Sequence, residues 1–356
     1  MTKFEHVTVL KTETIDLILS QFEKYQNQTE LLYADCTLGG AGHTIRLLEQ
    51  LTQKTQSSPS QRIELICCDQ DPLALHVASE RIAQWRENTN PKSHATEVTL
   101  INVNFRQLPA WLSQNRPNKK LNGIIADLGV SSPQLDHADR GFSFMKSGPL
   151  DMRMNNQSGM TAKELIETST EAELSHIFSS YGEEPRARAL AKAIVTDRTS
   201  GSLPLSNTVT FAEYVARVLG YHQSRVHPAT RIFQALRIAV NEELSSVESL
   251  LQEIPSLIST HGVAALISFH SLEDRLVKQY FRAWENGCAS PAQKKQNDKQ
   301  NWLELQMGIP AQSESDRKSF GTEKPRGGIL ASEEEVKLNP RSRSARLRGF
   351  SFNSPT

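Results

Sequence analysis

Three aspartates, each closing a short apolar run, and three glycines within four positions are the residues whose types and spacing could do chemistry. Leu31–Ala34 is apolar and ends at Asp35, and the glycines Gly39, Gly40 and Gly42 follow. An apolar-periodic segment, Ile45, Leu47, Leu48 and Leu51, comes next. Strand, glycine turn and helix form the cradle of a nucleoside in a doubly wound α/β domain: backbone N–H groups approach the ligand, and the helix N-terminus adds its dipole. Ile63–Cys68 reads as a second strand and ends at Asp69, 27 positions past Gly42, where a carboxylate can accept from ribose hydroxyls.

The details select the nucleoside. Ile45 stands where the dinucleotide fingerprint has its third glycine, and no Lys-Ser/Thr pair marks a P-loop. Asp35 would repel a pyrophosphate but suits a cationic amino-acid moiety. Two carboxylates flanking the turn therefore favour S-adenosylmethionine over NAD.

These residues need elements to hold them. A helix is expected over Glu13–Phe22, and His6–Leu10 before it reads as extended. After the polar loop Thr52–Gln61, Asp71 can cap a helix with Pro72 in its first turn. Glu97–Val103 and Gly123–Asp127 read as third and fourth strands, which brings Asp35, Asp69 and Asp127 to one crevice at the strand ends. From Gly141 to Glu243 only helical patterns follow: Ala162–Glu167, Glu171–Ser180, Arg188–Thr196 and Phe211–Leu219. An inserted helical domain accounts for them. One long helix, Arg231–Ile258, leads to a fifth strand, Val263–Ser268, and a helix over Leu272–Trp284. The expected division is 1–140, first part of the α/β domain; 141–243, the helical insertion; and 244–356, its second part with a basic tail. Ala289–Asp316, rich in Gln, Lys and Asn, reads as a mobile insertion.

Composition excludes little else. At 356 residues and 38% hydrophobic content the chain supports a sizeable core. It has no apolar run long enough to cross a membrane and no apolar leader, so a cytoplasmic protein is expected. Cys36, Cys67, Cys68 and Cys288 lack metal-ligand spacing and read as core thiols of a reducing compartment. The net charge is zero, yet residues 317–356 carry nine Lys/Arg against four acids. Arg341, Arg343, Arg346 and Arg348 make a strip able to contact phosphates, while Leu347, Phe350 and Phe352 alternate as in an edge strand.

Ten segments carry a resemblance over nearly the whole chain. They are His6–Leu10, Asp35-Cys-Thr-Leu-Gly-Gly-Ala-Gly-His43, Asp69-Gln-Asp-Pro72, Asp127-Leu-Gly-Val-Ser-Ser-Pro-Gln-Leu135 and Arg140-Gly-Phe-Ser-Phe144. Gly148-Pro-Leu-Asp-Met-Arg-Met154, Tyr181-Gly-Glu183, His227-Pro-Ala-Thr-Arg231, Ser268–Arg275 and Asn339-Pro-Arg-Ser-Arg343 complete them. In these the chain resembles the bacterial small-subunit rRNA cytosine-N4 methyltransferases, the RsmH or MraW family. The resemblance implies a class I, Rossmann-like S-adenosylmethionine-dependent methyltransferase fold with an inserted all-helical domain. It implies N4-methylation of a single cytidine in the decoding region of 16S rRNA, within the small ribosomal subunit. It places the cofactor against Ala41, Gly42, His43, Asp69, Phe105, Asp127 and Gln134. Ala41 departs from the glycine common in the family, which is tolerable at negative φ and costs about 1 kcal/mol at positive φ.

His227 and Arg231 in the insertion, with Arg343 and Arg346 in the tail, are the expected RNA contacts. The Asn/Asp-Pro-Pro-aromatic motif of many amino-methyltransferases is replaced by Asp127-Leu-Gly-Val. Asp127, Ser132 and His270 are thus catalytic candidates by location only, and the catalytic residue stays open. No metal is expected, the His270/Glu273/Asp274 cluster reading as a helix-start network. Monomer and homodimer both remain open. The rival readings are an amino-methyltransferase acting on DNA or another RNA, a nucleotide-dependent oxidoreductase, and an RNA-binding assembly factor with a vestigial site.

Overall fold

The computed structural model describes residues 8–55, 60–89, 96–220, 227–306 and 318–353. The chain divides into two compact units, Val130–Ser245 and a unit made of Val7–Gly129 with Ser246–Thr356.

In the two-part unit, α1 (Lys11–Ile18) and a 3-10 turn precede β1 (Glu30–Asp35), α2 (Gly42–Lys54), β2 (Arg62–Asp69), α3 (Pro72–Asn88), β3 (Thr96–Asn102), α4 (Leu108–Asn115) and β4 (Leu121–Asp127). In the other unit α5 (Ser132–Asp136), α6 (Ala162–Thr168), α7 (Glu171–Ser180), α8 (Ala187–Thr199), α9 (Thr208–Leu219) and α10 (Ala229–Val240) follow. The chain continues with α11 (Glu243–Leu257), β5 (Ile258–Ser268), α12 (Ser271–Glu285), α13 (Pro291–Gln306), β6 (Gly321–Glu323), β7 (Ile329–Leu330), α14 (Glu333–Leu338) and β8 (Arg346–Phe352).

The sheet order is β3-β2-β1-β4-β5-β8-β6, with β7 also on β8; the first five strands are parallel and β8 is antiparallel to its neighbours. Both faces are covered, so the strands read as continuous apolar runs whose residues alternate between two cores. Leu31, Tyr33, Ile63, Leu65 and Cys67 pack with Ile15, Ile18, Leu47, Leu48, Ala78 and Ile82. Leu32, Ala34, Ile66 and Cys68 pack with Leu108, Leu112, Leu251, Phe281 and Trp284 on the opposite face. All four cysteines are buried free thiols. The unit Val130–Ser245 has its own core, in which Leu174, Phe178, Leu190, Phe211, Ile232 and Leu236 meet. Its helix starts are written in Thr-x-x-Glu: Thr161 and Thr170 each accept from a glutamate N–H three residues on, and that glutamate accepts from the threonine N–H.

Several expectations need correction. The helix expected over Arg231–Ile258 is two helices, because Asn241 leaves the helical path: its side chain donates to Met152 O and accepts from Met154 N, both at 2.7 Å. Glu242 then turns at φ 50°, which a helix cannot continue through. Part of the expected mobile insertion is α13, anchored where Trp284 Nε1 donates to Ala289 O at 3.1 Å; residues from 307 to 317 lie outside the described ones. His6 and Val7 of the expected extended segment also lie outside, and its end, Val9-Leu10, is a turn. The loop expected from Thr52 starts later, since α2 runs to Lys54.

The tail departs most. β8 is an interior strand, paired with β5 on one side and β6 and β7 on the other, not an edge. Leu347 faces one core, Phe350 and Phe352 the other. Arg348 is buried, its Nε 2.7 Å from Asp274 Oδ1 and its Nη1 2.5 Å from Glu323 Oε1. Arg346 is half-buried and donates to Gly327 O. Arg341 and Arg343 are exposed, so the phosphate strip is shorter than composition suggested. A buried guanidinium holding two carboxylates leaves them uncompensated when removed. Arg348→Leu should therefore destabilise the protein by about 3–5 kcal/mol in urea unfolding, whereas Arg343→Gln should change it by less than about 0.5 kcal/mol.

Candidate active site

The turn after β1 is held by Asp35, which the sequence reading assigned to ligand, and by two threonines. Asp35 is buried, with Oδ1 accepting from Thr37 N at 3.1 Å and Oδ2 from Thr44 Oγ1 at 2.6 Å. It ties the turn to the first turn of α2, and burial still pushes its carboxyl up despite these donors. Thr37 Oγ1 accepts from Asp127 N at 2.6 Å, Cys36 N donates to Ile125 O, and Leu38 N donates to Cys68 O. The turn is thereby stitched to β2 and β4. Nothing in composition marks Thr37 or Thr44; only the fold shows what they hold.

The glycines serve different ends. Gly39 turns at φ 49°, in the left-handed region. Gly42 is required by Thr8: a Cβ there would lie 1.7 Å from Thr8 Oγ1. Close packing of the preceding segment is by itself reason enough for that glycine. Ala41 sits at φ 60° as the residue capping α2, which is the costly alternative of the two considered for it.

Three carboxyl groups end adjacent strands. Asp69 Oδ2 accepts from Gly39 N at 2.8 Å and Oδ1 from Asp71 N at 2.9 Å. Burial raises it to about 6, opposed by those two backbone donors and helped by Asp71 and Asp35. Asp127 is held well above the carboxylate range, by burial first and then by Asp35 and Glu273. Its Oδ1 is a buried acceptor with no hydrogen-bond partner among the described residues. Its Oδ2 lies 3.9 Å from His43 Nδ1. His43 is itself buried, with Nε2 3.1 Å from Val9 O. A carbonyl only accepts, so Nε2 carries the proton and Nδ1 is turned toward Asp127.

Phe105 is half-buried at the start of a 3-10 turn after β3, behind the Asn104 cap. Asn104 Nδ2 donates to Gln70 Oε1 at 2.9 Å, and Asn102 Nδ2 to Asp69 O at 2.9 Å. The loops after β2 and β3 are thus joined, by asparagines that sequence reasoning passed over. Ala41, Gly42, His43, Asp69, Phe105 and Asp127 come together around these strand ends.

The remaining candidates have local roles. Gln134, in the helical unit, is buried and accepts from Ser131 N at 3.0 Å, capping α5. Ser132 is the first residue of that helix. His227 Nδ1 accepts from Ala229 N at 3.1 Å, and its ring lies 4.9 Å from that of Phe144. Arg231 is exposed and donates to Glu183 O at 3.4 Å. His270 caps α12, accepting from Glu273 N, while Glu273 Oε2 accepts from Phe269 N at 2.8 Å; Asp274 pairs with Arg348 instead.

Comparison with known proteins adds to this geometry. The model of the MraW methylase family matches residues 3–353. A protein named ribosomal RNA small subunit methyltransferase H from Idiomarina loihiensis is 38% identical, over 98% of this chain and 96% of its own. Proteins of the same name from Geobacter sp. and Shewanella frigidimarina are 40% and 34% identical, the alignments covering 98% and 97% of both chains in each pair.

Adjacent positions on the turn should respond differently. Gly42→Ala forces Thr8 aside and should cost about 1–3 kcal/mol; Thr8→Gly in the same chain should recover part of it, which a double-mutant cycle in urea reads directly. Ala41→Gly relieves roughly 1–2 kcal/mol of left-handed strain. It also loses a buried methyl of about 0.8 kcal/mol and loosens the unfolded chain by about 0.4–1 kcal/mol. The net shift should stay within about 1 kcal/mol of zero.

Proposed function

The chain belongs to the MraW methylase family, and on that premise we propose that it transfers a methyl group from S-adenosylmethionine to N4 of a single cytidine in the decoding region of small-subunit ribosomal RNA. The protein is an S-adenosylmethionine-dependent rRNA methyltransferase. The observation that carries the reading is the trio of strand-end carboxyls, Asp35 buried and Asp69 and Asp127 half-buried, with a buried oxygen of Asp127 that no described residue meets.

That donor set fits the cofactor. Asp69 keeps lone pairs on both oxygens beyond its two backbone donors, as acceptance from ribose hydroxyls requires. The stitched turn 39–43 offers backbone to the methionine end, Phe105 a ring face to the adenine. Gln134 is the member of the proposed set whose side chain already caps a helix. When bound, S-adenosylmethionine supplies an electrophilic methyl on a sulfonium.

The chain's own part is to make a poor nucleophile competent. The cytosine N4 lone pair is conjugated with the ring, so the amine needs an acceptor for one hydrogen as its nitrogen pyramidalises. Asp127 Oδ1 is that acceptor, on a backbone fixed by Thr37. A cation beside Asp127 draws its carboxyl back toward the ionised form, which accepts. His270 and Ser132 are the weaker candidates, since His270 serves as a cap. The helical unit, with His227 and Arg231, and the exposed Arg343 with half-buried Arg346, would contact RNA; the substrate would be the assembled small subunit, in the cytoplasm. No described helix is long and apolar enough to cross a membrane.

Labelled methyl transfer to naked small-subunit rRNA and to assembled subunits, followed by mass-spectrometric mapping, should give N4-methylcytidine at one position. Label on a ribose hydroxyl, or preferential transfer to DNA, would overturn the assignment. The cofactor role of Asp69 has a pH signature. With its carboxyl raised to about 6, the neutral form's contribution to folding is present below about 3.8 and lost as pH rises through 6. Hydroxyl donors need the ionised form, so affinity for S-adenosylmethionine should rise about tenfold between pH 5 and 7. Asp69→Asn should flatten that rise and weaken binding by about 1–3 kcal/mol at pH 7 in calorimetry.

A further inference from the structure

The two oxygens of Asp127 face different surroundings, and one of them meets a side chain that the mechanism above does not use. Oδ1 is the acceptor that no described residue meets, whereas Oδ2 lies 3.9 Å from Nδ1 of His43. His43 is buried in the first turn of α2, and its other nitrogen, Nε2, is 3.1 Å from Val9 O. The segment carrying that carbonyl is itself held. Leu10 N donates to Glu335 Oε1 at 2.8 Å, Leu10 O accepts from Thr14 Oγ1 at 2.7 Å, and the Thr8 side chain fills the place of a Cβ on Gly42. On the other side, Thr37 Oγ1 fixes the Asp127 backbone. With the Nε2 hydrogen committed to a carbonyl, Nδ1 offers its lone pair to the carboxyl. A gap of 3.9 Å is a small carboxyl torsion away from a hydrogen bond, and such bonds tighten when substrate arrives.

Resting on the reading of Asp127 as the acceptor, we propose that His43 is its positioning residue: the imidazole takes the carboxyl's proton from Oδ2 onto Nδ1 and holds the resulting carboxylate with Oδ1 open to the cytosine amine. The exchange balances. One proton crosses from oxygen to nitrogen, Asp127 becomes an anion, His43 a cation, and the pair stays neutral. The imidazolium then donates from both nitrogens, to Val9 O and to Oδ2. When the amine nitrogen is alkylated, its surplus proton goes to Oδ1, and the pair afterwards returns one proton to solvent. Imidazole suits the task because its charge changes near neutral pH. The anions facing Asp127, Asp35 at the end of β1 and Glu273 in α12, both favour keeping a proton nearby, so the proton is moved within the pair and not lost from it.

Nitrogen NMR of the protein with isotope-labelled histidine reads the proton without turnover. In the free protein the His43 signals, assigned by their loss in His43→Asn, should be those of the Nε2–H tautomer, and Asp127→Asn should shift Nδ1. Saturating S-adenosylmethionine should protonate Nδ1, whereas S-adenosylhomocysteine, which lacks the sulfonium charge, should not. Single-turnover transfer to small-subunit rRNA adds a pH profile. His43→Gln keeps a donor for Val9 O but loses the nitrogen facing Asp127. The melting temperature should hold, and the acid limb of the profile should move up by about one pH unit or more, because the carboxyl loses the partner that favours its ionised form. His43→Asn puts an amide where Nδ1 stood and should bring the limb part of the way back, at a cost in melting temperature. An Nδ1–H tautomer in the free protein, an Nδ1 signal indifferent to S-adenosylmethionine, or an unmoved acid limb in folded His43→Gln would each overturn the proposal. If the wild-type chain methylates no RNA while the nitrogen signals move as described, the rRNA reading falls and the proton exchange between His43 and Asp127 stands.

Discussion

A carboxylate drawn out of water at the end of a parallel strand is unfavourable unless something donates to it, and this protein sets three side by side, one buried and two half-buried. Asp35, Asp69 and Asp127 close β1, β2 and β4, which are neighbours in the sheet. Asp35 is satisfied within the fold by Thr37 and Thr44, and Asp69 in part by the backbone of Gly39 and Asp71. Asp127 is left with an acceptor that nothing described meets. The gradient from satisfied to unsatisfied runs from scaffold to the group we propose for the chemistry. Asp35 also raises both Asp69 and Asp127, so a cation entering there relieves several penalties at once.

The sheet was legible because burial on both faces forces unbroken apolar runs, and all five parallel strands stand where those runs lie. Asp71-Pro72 and the two Thr-x-x-Glu boxes announced their helices for equally local reasons. What composition could not convey is who neighbours whom. Arg348 reads like Arg343, yet one is locked between Asp274 and Glu323 and the other is exposed. Gly42 reads as a ligand-facing glycine, and composition does not show that Thr8, 34 positions earlier, leaves no room for a Cβ there. Nor does composition show that Thr37 and Thr44 both donate to Asp35. α13 was missed because a polar helix without an apolar stripe has no periodic signature.

The interior position of β8 has a consequence for the order in which the protein can be made. The helical unit is one continuous stretch, Val130–Ser245, with its own core, whereas the sheet needs segments from both sides of it. While the ribosome is still adding residues beyond 245, β4 presents an unpaired edge, and β5 presents one until β8 arrives. The helices can settle during synthesis, but closing the sheet must wait for contacts across more than 130 residues, such as Asp127 beside Ile267. Glu273, which helps set the charge of Asp127, comes from that late segment. The helical part can therefore form while the methyl-transfer chemistry is still unassembled, and the chain becomes an enzyme only once β5 and β8 have joined the sheet.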